Sequence, residues 1–419
     1  MNTRKKAWEL LNKICIGKSY STLLLRHELD NFTSQDKALI TNIVYGTLQN
    51  YRLTRYMWEG DVKNLPTEPI CILLDMSAYQ MFFMDKLPAY AILNDAVEIA
   101  KHVDNGRYAK LVNALLRNLQ RNGRRIITET GIEKIAIVTS HPTWLLNMWL
   151  KQYGKDTMIA IVKENNEKST QCGRVNTLQI TLEEFLNKYP MFTLAKSNQD
   201  KSNSAVYYES GNIADSEAYK IGDVSIQDES SQMVANFMAP KPNDKILDAC
   251  SAPGSKAAHM ATIMNNQGEI IAMDIHEHRV ELIKEGMERQ NIKCVKAIVG
   301  DATQIDERYK EYFDKVLVDA PCSGYGVLRR KADIKYHMKS EDMDSISKLQ
   351  ADILQVASKT LKKQGILVYS TCTLNKKENE KQIAKFLNAN EDFKLIEEHT
   401  IFPYEYHSDG FYMAKLIKE

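Results

Sequence analysis

Residues 313–322 read FDKVLVDAPC, and four other stretches share their character: KILDAC (245–250), GEIIAMD (268–274), VKAIVGD (295–301) and GILVYSTC (365–372). Each is a short run rich in Ile, Val or Leu that ends in an acid or a cysteine. Helical patterns separate them, around 254–264, 276–290, 341–362 and 375–389. Nearly continuous apolar strands alternating with helices of that length build a mostly parallel sheet covered on both faces. The last two runs, FKLIEEH (393–399) and GFYMAKLIK (410–418), have no helix between them and predict an antiparallel closing hairpin. Residues 226–419 are therefore expected to form a Rossmann-like α/β domain.

Upstream the period differs. In 91–102 the residues Ile92, Ala96, Ile99 and Ala100 share one helical face, and in 108–119 Leu111, Leu115, Leu116 and Leu119 do the same. The first 125 residues read as helical almost throughout, and the boundary of this all-helical domain is placed at 135. Residues 136–225 begin with two helices and continue as a small α+β (RRM-like) module, with strand-like runs at 172–175 and 205–208 around a helix at 181–188.

Length and composition narrow the class. The chain has 419 residues, 44% of them hydrophobic and 26% charged, with 55 Lys/Arg against 54 Asp/Glu. That is a globular composition, with chain enough for two or three domains. No apolar run approaches the roughly 20 residues of a membrane span. Charges interrupt the apolar residues of MNTRKKAWELLNK too soon for a signal sequence. Seven cysteines with no C-x-x-C pair argue against a disulfide framework and against structural zinc. A cytoplasmic, monomeric protein that uses no metal is expected.

The balanced charge hides an asymmetry. Residues 1–125 hold 18 Lys/Arg and 12 Asp/Glu, and the remainder holds 37 and 42. Nearly all the surplus lies in 105–128, which carries Arg107, Lys110, Arg117, Arg121, Arg124 and Arg125 and no acid. Lys110, Arg117 and Arg121 fall on one helical face, and Arg124 joins them if Gly123 does not end the helix. Such a stripe is either a solvated surface or a phosphate-binding one.

In open α/β sheets, ligands bind beyond the carboxyl ends of the strands. The first strand runs into DACSAPGSK (248–256), a tight turn whose Gly254 permits close backbone approach. It is neither a P-loop nor a full G-x-G-x-x-G. The next two strands end in Asp274, suited to a ribose diol, and Asp301, suited to an adenine amino group; together these acids point to an adenosine-bearing cofactor. The remaining two strands end in Asp319–Cys322 and in Cys372. A lone cysteine is usually a small buried hydrophobe. Two thiols leaving adjacent strands suit nucleophilic chemistry instead. Addition of a thiolate at C6 of cytosine makes C5 nucleophilic enough to attack an electrophilic methyl group. Because a free thiol ionises near about 8.5, a group at cytosine N3 must favour the addition, a role open to Asp319.

DACSAPGSK, DAPCSGYGVLRRKADIKY (319–336), VYSTCTLNKKENE (368–380) and DGFYMAKL (409–416) resemble successive motifs of the Sun/RsmB (Fmu) family of RNA cytosine-5 methyltransferases. QDESSQMVANFM (227–238) resembles the segment leading into that domain. ITNIVYGTLQN (40–50), AYAILNDAVEIAK (89–101) and YAKLVNALLRNL (108–119) resemble its NusB-like amino-terminal domain. SHPTWLLNMWLKQYG (140–154) and RVNTL (174–178) resemble the connecting region. The resemblance implies that Cys372 attacks C6, that Cys322 assists elimination, and that Asp319 and Lys256 contact the target base. It implies S-adenosylmethionine as cofactor, with Cys250, Ser251, Ala252, Pro253, Gly254, Ser255 and Lys256 around its methionine end. Asp274 would then hold the ribose and Asp301 the adenine, with Asp319 and Arg279 nearby. The spacing alone does not decide which cysteine attacks, since DNA cytosine methyltransferases use the one after proline.

Two departures stand out. Ser251 and Ser255 replace small residues of the family's C-A-A-P-G-G-K, and a serine forced to positive φ at 255 would be strained by about 1 kcal/mol. Tyr325 stands where Thr is common. The resemblance further implies a 16S rRNA substrate or a small-subunit assembly intermediate. A tRNA or another rRNA site, DNA, and an inactive RNA-binding assembly factor are the alternatives. Residues 328–339 carry five Lys/Arg against one Asp directly after the Cys322 loop. Arg329, Arg330, Lys331 and Lys335 are accordingly expected to contact RNA, together with Lys110, Arg117, Arg121 and Arg124.

Overall fold

The computed structural model describes residues 2–85, 87–196, 204–209, 211–337, 339 and 341–419. It divides into two compact units, Met1–Asn166 with Arg330–Met338, and Glu167–Arg329 with Lys339–Glu419. No helix among the described residues is long and apolar enough to cross a membrane, and no cluster of His, Cys, Asp or Glu among them could hold a metal ion.

The first unit is helical: α1 (Thr3–Cys15), α2 (Ser21–Glu28), α3 (Ser34–Glu59), α4 (Glu68–Phe83), α5 (Ala89–Lys101), α6 (Ala109–Asn122), α7 (Gly131–Val138), α8 (Thr143–Tyr153) and α9 (Lys155–Asn165). Helix α4 buries Ile70 through Gln80 without a break and is the central post of the bundle. Its neighbour α3 crosses closely because position 46 is glycine: a Cβ there would lie 1.9 Å from the Tyr79 ring. The buried carboxylate on the post, Asp75, accepts from Arg55 Nη2 at 2.7 Å and Trp58 Nε1 at 2.8 Å, so its charge is answered. On α6 the apolar face Val112, Leu115, Leu116 and Leu119 is buried, while Lys110, Arg117 and Arg121 are exposed on the other side.

The second unit opens with β1 (Gln171–Val175), α10 (Leu182–Lys188), β2 (Phe192–Leu194), β3 (Ala205–Tyr208), α11 (Glu217–Lys220) and β4 (Val224–Ile226). Its strands form an antiparallel sheet in the order β2-β3-β1-β4. Helix α10 starts at a capping box in which Thr181 and Glu184 satisfy each other's backbone N–H. Buried Arg174 reaches from β1 to Gln227, Thr262 and Gln290, tying the small sheet to the larger α/β layer.

The remainder runs α12 (Glu229–Met238), β5 (Lys245–Asp248), α13 (Ser255–Ile263), β6 (Glu269–Asp274), α14 (Glu277–Arg289), β7 (Val295–Val299) and β8 (Phe313–Asp319). After α15 (Ile334–His337), which belongs to the helical unit, come α16 (Asp342–Ser358), β9 (Leu361–Thr371), α17 (Glu380–Ala389), β10 (Phe393–Ile401), α18 (Pro403–Tyr406) and β11 (Phe411–Lys418). Among the described residues the sheet has seven strands in the order β10-β11-β9-β8-β5-β6-β7, parallel from β9 to β7, with the expected antiparallel hairpin at one edge. The all-helical start, the small α+β module and the Rossmann-like domain are thus as expected. Two helix boundaries differ by several residues, and the helix expected from 375 begins only at Glu380. The helix expected to reach 362 ends at Ser358, because Leu361 already pairs with Phe313 and sinks into the core.

Candidate active site

The order β9-β8-β5-β6-β7 places the five informative strand ends in a row along one edge: Cys372, then Asp319 and Cys322, then the 249–256 loop, then Asp274, then Asp301. Chain direction reverses its walk across the sheet between β5 and β8, so the crevice between those strands is where such sheets accept ligands. The row spans four strand spacings, roughly 19 Å.

At its head the two sulfurs lie 3.4 Å apart. Register explains the approach, since Asp319 pairs with Ser370 and the two chain segments leave the sheet side by side. Ala320 N donates to Ser370 O, and Gly326 N donates to Cys372 O at 3.0 Å, so the loops remain stitched beyond the last ladder bond. Asp319 is held at both oxygens, by Ser370 Oγ on Oδ1 at 2.8 Å and by Lys256 Nζ on Oδ2 at 2.7 Å. Burial works against the Lys256 charge, but attraction to Asp319 and the hydrogen bond outweigh it and hold the ammonium above its ordinary range, with Cys372 adding to the pull. The Cys322 thiol is pushed well up, first by its hydrogen bond to Cys372, then by burial and by the neighbouring Cys372 and Glu378 charges.

The 249–256 loop sits at the amino end of α13. Gly254 has φ 92°, and a Cβ there would approach Ile283 and Met287 to 3.0 and 3.1 Å, so this position requires glycine. Ser255 is the first residue of α13 and has no positive φ. The strain considered for a serine at 255 therefore does not arise, because the left-handed turn falls one residue earlier. No side chain caps α13, which leaves its first N–H groups directed at the crevice. Asp274 Oδ1 accepts from His276 N, and Asp301 Oδ1 from Thr303 N and Oγ1. In each acid Oδ2 carries no hydrogen bond among the described residues. Ser251 Oγ and both oxygens of Asp248 are buried without a partner in hydrogen-bonding geometry, and burial lifts the Asp248 carboxyl to about 7. Orphaned acceptors and donors at three successive strand ends fit a ligand with a ribose, a base and an amino-acid end. Arg279 is exposed on the first turn of α14, and Cys250 is part-buried with its thiol pushed up by burial and then by Asp248.

The basic residues expected to meet RNA divide. Arg124 donates to Phe82 O and lies 4.5 Å over the Phe83 ring. Arg329 donates to His407 O and Lys168 O. Lys331 is exposed and Arg330 part-buried. Lys335 is the correction: its side chain is 4% exposed inside the helical unit, and its ammonium has no hydrogen-bond partner. The segment around it packs there because Ala332 joins the helical core, Tyr336 lies 4.1 Å from the Tyr51 ring, Ser21 Oγ donates to Asp333 and His337 pairs with Ile14 O. A side chain so enclosed does not meet a phosphate.

Sequence reasoning leaves Ser323, Gln350 and Glu378 without roles. Glu378 stands within the KKENE stretch, but beyond nearby Asn375 its partners Gln350 and Ser323 lie 28 and 55 residues away, and no local pattern links them.

This fold and edge define a Rossmann-like methyltransferase domain carried behind a helical domain and a small antiparallel sheet. Family models match the three parts: the NusB family over 1–121, an RsmF/B-like ferredoxin-like domain over 141–209, and 16S rRNA methyltransferase RsmB/F over 235–417. The chain is 36% identical to the probable ribosomal RNA small subunit methyltransferase B of Bacillus subtilis, covering 100% of this chain and 99% of that one. It is 31% identical to the ribosomal RNA small subunit methyltransferase B of Vibrio vulnificus, with all of both chains covered. Among solved structures, that of PH0851 aligns over 100% of this chain and 99% of its own with a TM-score of 0.85 at 23% identity. The chain belongs to the 16S rRNA methyltransferase RsmB/F family.

Proposed function

We propose that this protein methylates C5 of one cytosine in 16S ribosomal RNA through a covalent bond between Cys372 and C6. The observation that carries the reading is the pair of sulfurs 3.4 Å apart beside the Lys256–Asp319 ion pair. S-adenosylmethionine supplies the methyl group, and the residues suited to hold it are the 250–256 loop, Asp274 and Asp301. Cys372 adds to C6 as the thiolate, favoured by the Lys256 charge and by the Cys322 S–H. Asp319, fixed at both oxygens, presents its remaining lone pairs to the amino edge of the base. After C5 is methylated, Cys322 gives its own proton to solvent and as the thiolate takes the C5 proton, the C5–C6 double bond reforms, and the Cys372 thiolate is expelled. A target in a helix must be flipped out at a cost of a few kcal/mol, which backbone contacts offset. The exposed Lys110, Arg117 and Arg121 face of residues 1–135 supports such contacts, and residues 226–419 carry the chemistry.

The test uses 16S rRNA transcripts with labelled S-adenosylmethionine. Cys372→Ala is expected to abolish methylation and covalent capture by 5-fluorocytosine RNA, while Cys322→Ala traps protein on unmodified RNA. Exchange of the two outcomes refutes the roles assigned, and transfer to tRNA alone refutes the substrate.

A further inference from the structure

Glu378 is fully buried, six residues beyond Cys372 and just ahead of α17. Its Oε2 accepts from Ser323 N at 2.9 Å and Gln350 Nε2 at 3.1 Å. Its Oε1 accepts from Ser323 Oγ at 2.6 Å and Asn375 Nδ2 at 2.9 Å. No Lys or Arg pairs with it among the described residues, so four neutral donors replace the water that a carboxylate requires.

The placement of those donors is specific. Ser323 follows Cys322 directly. Gln350 Nε2, which faces Glu378, also donates to Pro321 O at 2.9 Å, so the peptide groups on both sides of Cys322 are gripped by one bracket. The bracket extends to the other sulfur. Ser323 Oγ lies 2.6 Å from Thr373 Oγ1, next to Cys372, and Asn379 binds Thr373 O and Thr371 Oγ1 at 2.9 and 2.6 Å. A buried apolar residue would fill the same space more stably than an uncompensated charge. What the carboxylate adds is a fourfold acceptor that sets the position of the Cys322 backbone.

We infer that Glu378 is a positioning residue for the release step, holding Cys322 where it takes the C5 proton. The inference rests on the covalent reading proposed above. A glutamine at 378 keeps the shape but turns an NH2 toward two of the four donors. Displacing the loop by a fraction of an ångström to about one ångström slows proton removal by about 10-fold to 100-fold.

The experiment compares wild type, Glu378→Gln, Glu378→Asp, Ser323→Ala and Cys322→Ala on an unmodified 16S rRNA transcript. It measures turnover, KM for RNA, S-adenosylmethionine affinity and the fraction of protein crosslinked to RNA in denaturing gels. Glu378→Gln is expected to lower kcat, leave both affinities unchanged and accumulate adduct as Cys322→Ala does, with Glu378→Asp recovering part of the rate. Trapping by Cys322→Ala without trapping by Glu378→Gln overturns the inference. Absence of trapping in Cys322→Ala overturns the release mechanism beneath it. If Glu378→Gln fails to fold, Ser323→Ala decides, since it removes the Oγ link alone and is expected to trap; a folded Ser323→Ala without adduct also overturns the inference.

Discussion

Replacing Lys335 by Met should stabilise the helical unit, by an amount that disappears as the pH rises. The ammonium sits 4% exposed with no hydrogen-bond partner, and burial pulls its ionisation from 10.5 down to about 7. For a base whose folded value is depressed, the unfolded chain binds the proton first as the pH falls below 10.5. Wild-type stability is therefore lost progressively from pH 10.5 down to 7 and levels off below. At 1.36 kcal/mol per pH unit the burden is about 4 kcal/mol at pH 7, about 2 kcal/mol at pH 9 and under about 0.5 kcal/mol at pH 11. Methionine keeps the apolar stem and cannot take a proton, so the variant should gain those amounts over wild type at each pH. Denaturant unfolding followed by tryptophan fluorescence at pH 7, 9 and 11 gives the comparison, because other titrations cancel between the two proteins. An equal gain at pH 7 and 9, or no gain, would refute the buried placement. RNA affinity of the variant should match wild type, whereas a phosphate-binding lysine would lose affinity on the same substitution.

Reversing charge at Arg117 and Arg121 should weaken RNA binding and flatten the plot of log affinity against log salt, by roughly 0.7–0.9 in slope for each phosphate no longer neutralised; filter binding at four salt concentrations measures it, and an unchanged slope removes α6 from the interface. Ser255→Gly should leave S-adenosylmethionine affinity within about twofold, while Gly254→Ala, forced to φ 92° and against Ile283 and Met287, should weaken it about tenfold, since that corresponds to roughly 1.4 kcal/mol. Calorimetry distinguishes them, and a larger effect at 255 than at 254 would contradict the loop geometry.

The catalytic half is legible because its information is local. A strand buried on both faces must be apolar until it leaves the sheet, so the first acid or cysteine after each run marks the working edge, as at Asp248, Asp274, Asp301 and Cys372. The same reasoning misjudges 328–339, where charge is counted by residue type. Lys335 lies between Ile334 and Tyr336 in a short helix whose neighbours are supplied by α1 and α3, more than 280 residues earlier in the chain. Nothing near it in sequence says that its ammonium is enclosed. Residue 362 likewise reads as helical because LKKQ has no strand-like alternation; pairing of Leu361 with Phe313 overrides that preference. Glu378 is visible as an acid, but its meaning comes from a hydrogen-bond bracket assembled from three separate segments of chain.

In the proposed mechanism the sulfur pair also orders the steps in time. The Cys322 thiol is pushed up chiefly by its hydrogen bond with Cys372, then by burial and by the neighbouring Cys372 and Glu378 charges. In the proposed adduct with C6, the Cys372 sulfur is a neutral thioether and a poor acceptor. Both effects of Cys372 on the Cys322 thiol then disappear, and burial and the Glu378 charge remain. In that mechanism Cys322 loses its proton to solvent readily only after the adduct exists, when a base is first needed. The same reasoning explains why a thiol, and not a carboxylate, stands there: an aspartate 3.4 Å from Cys372 would be charged before addition and would oppose formation of the attacking thiolate. Cys322→Asp should therefore slow adduct formation itself, whereas Cys322→Ala should slow only its resolution. Single-turnover capture of 5-fluorocytosine RNA isolates the first step, and an undiminished capture rate in Cys322→Asp would show that the neighbouring charge does not govern the nucleophile.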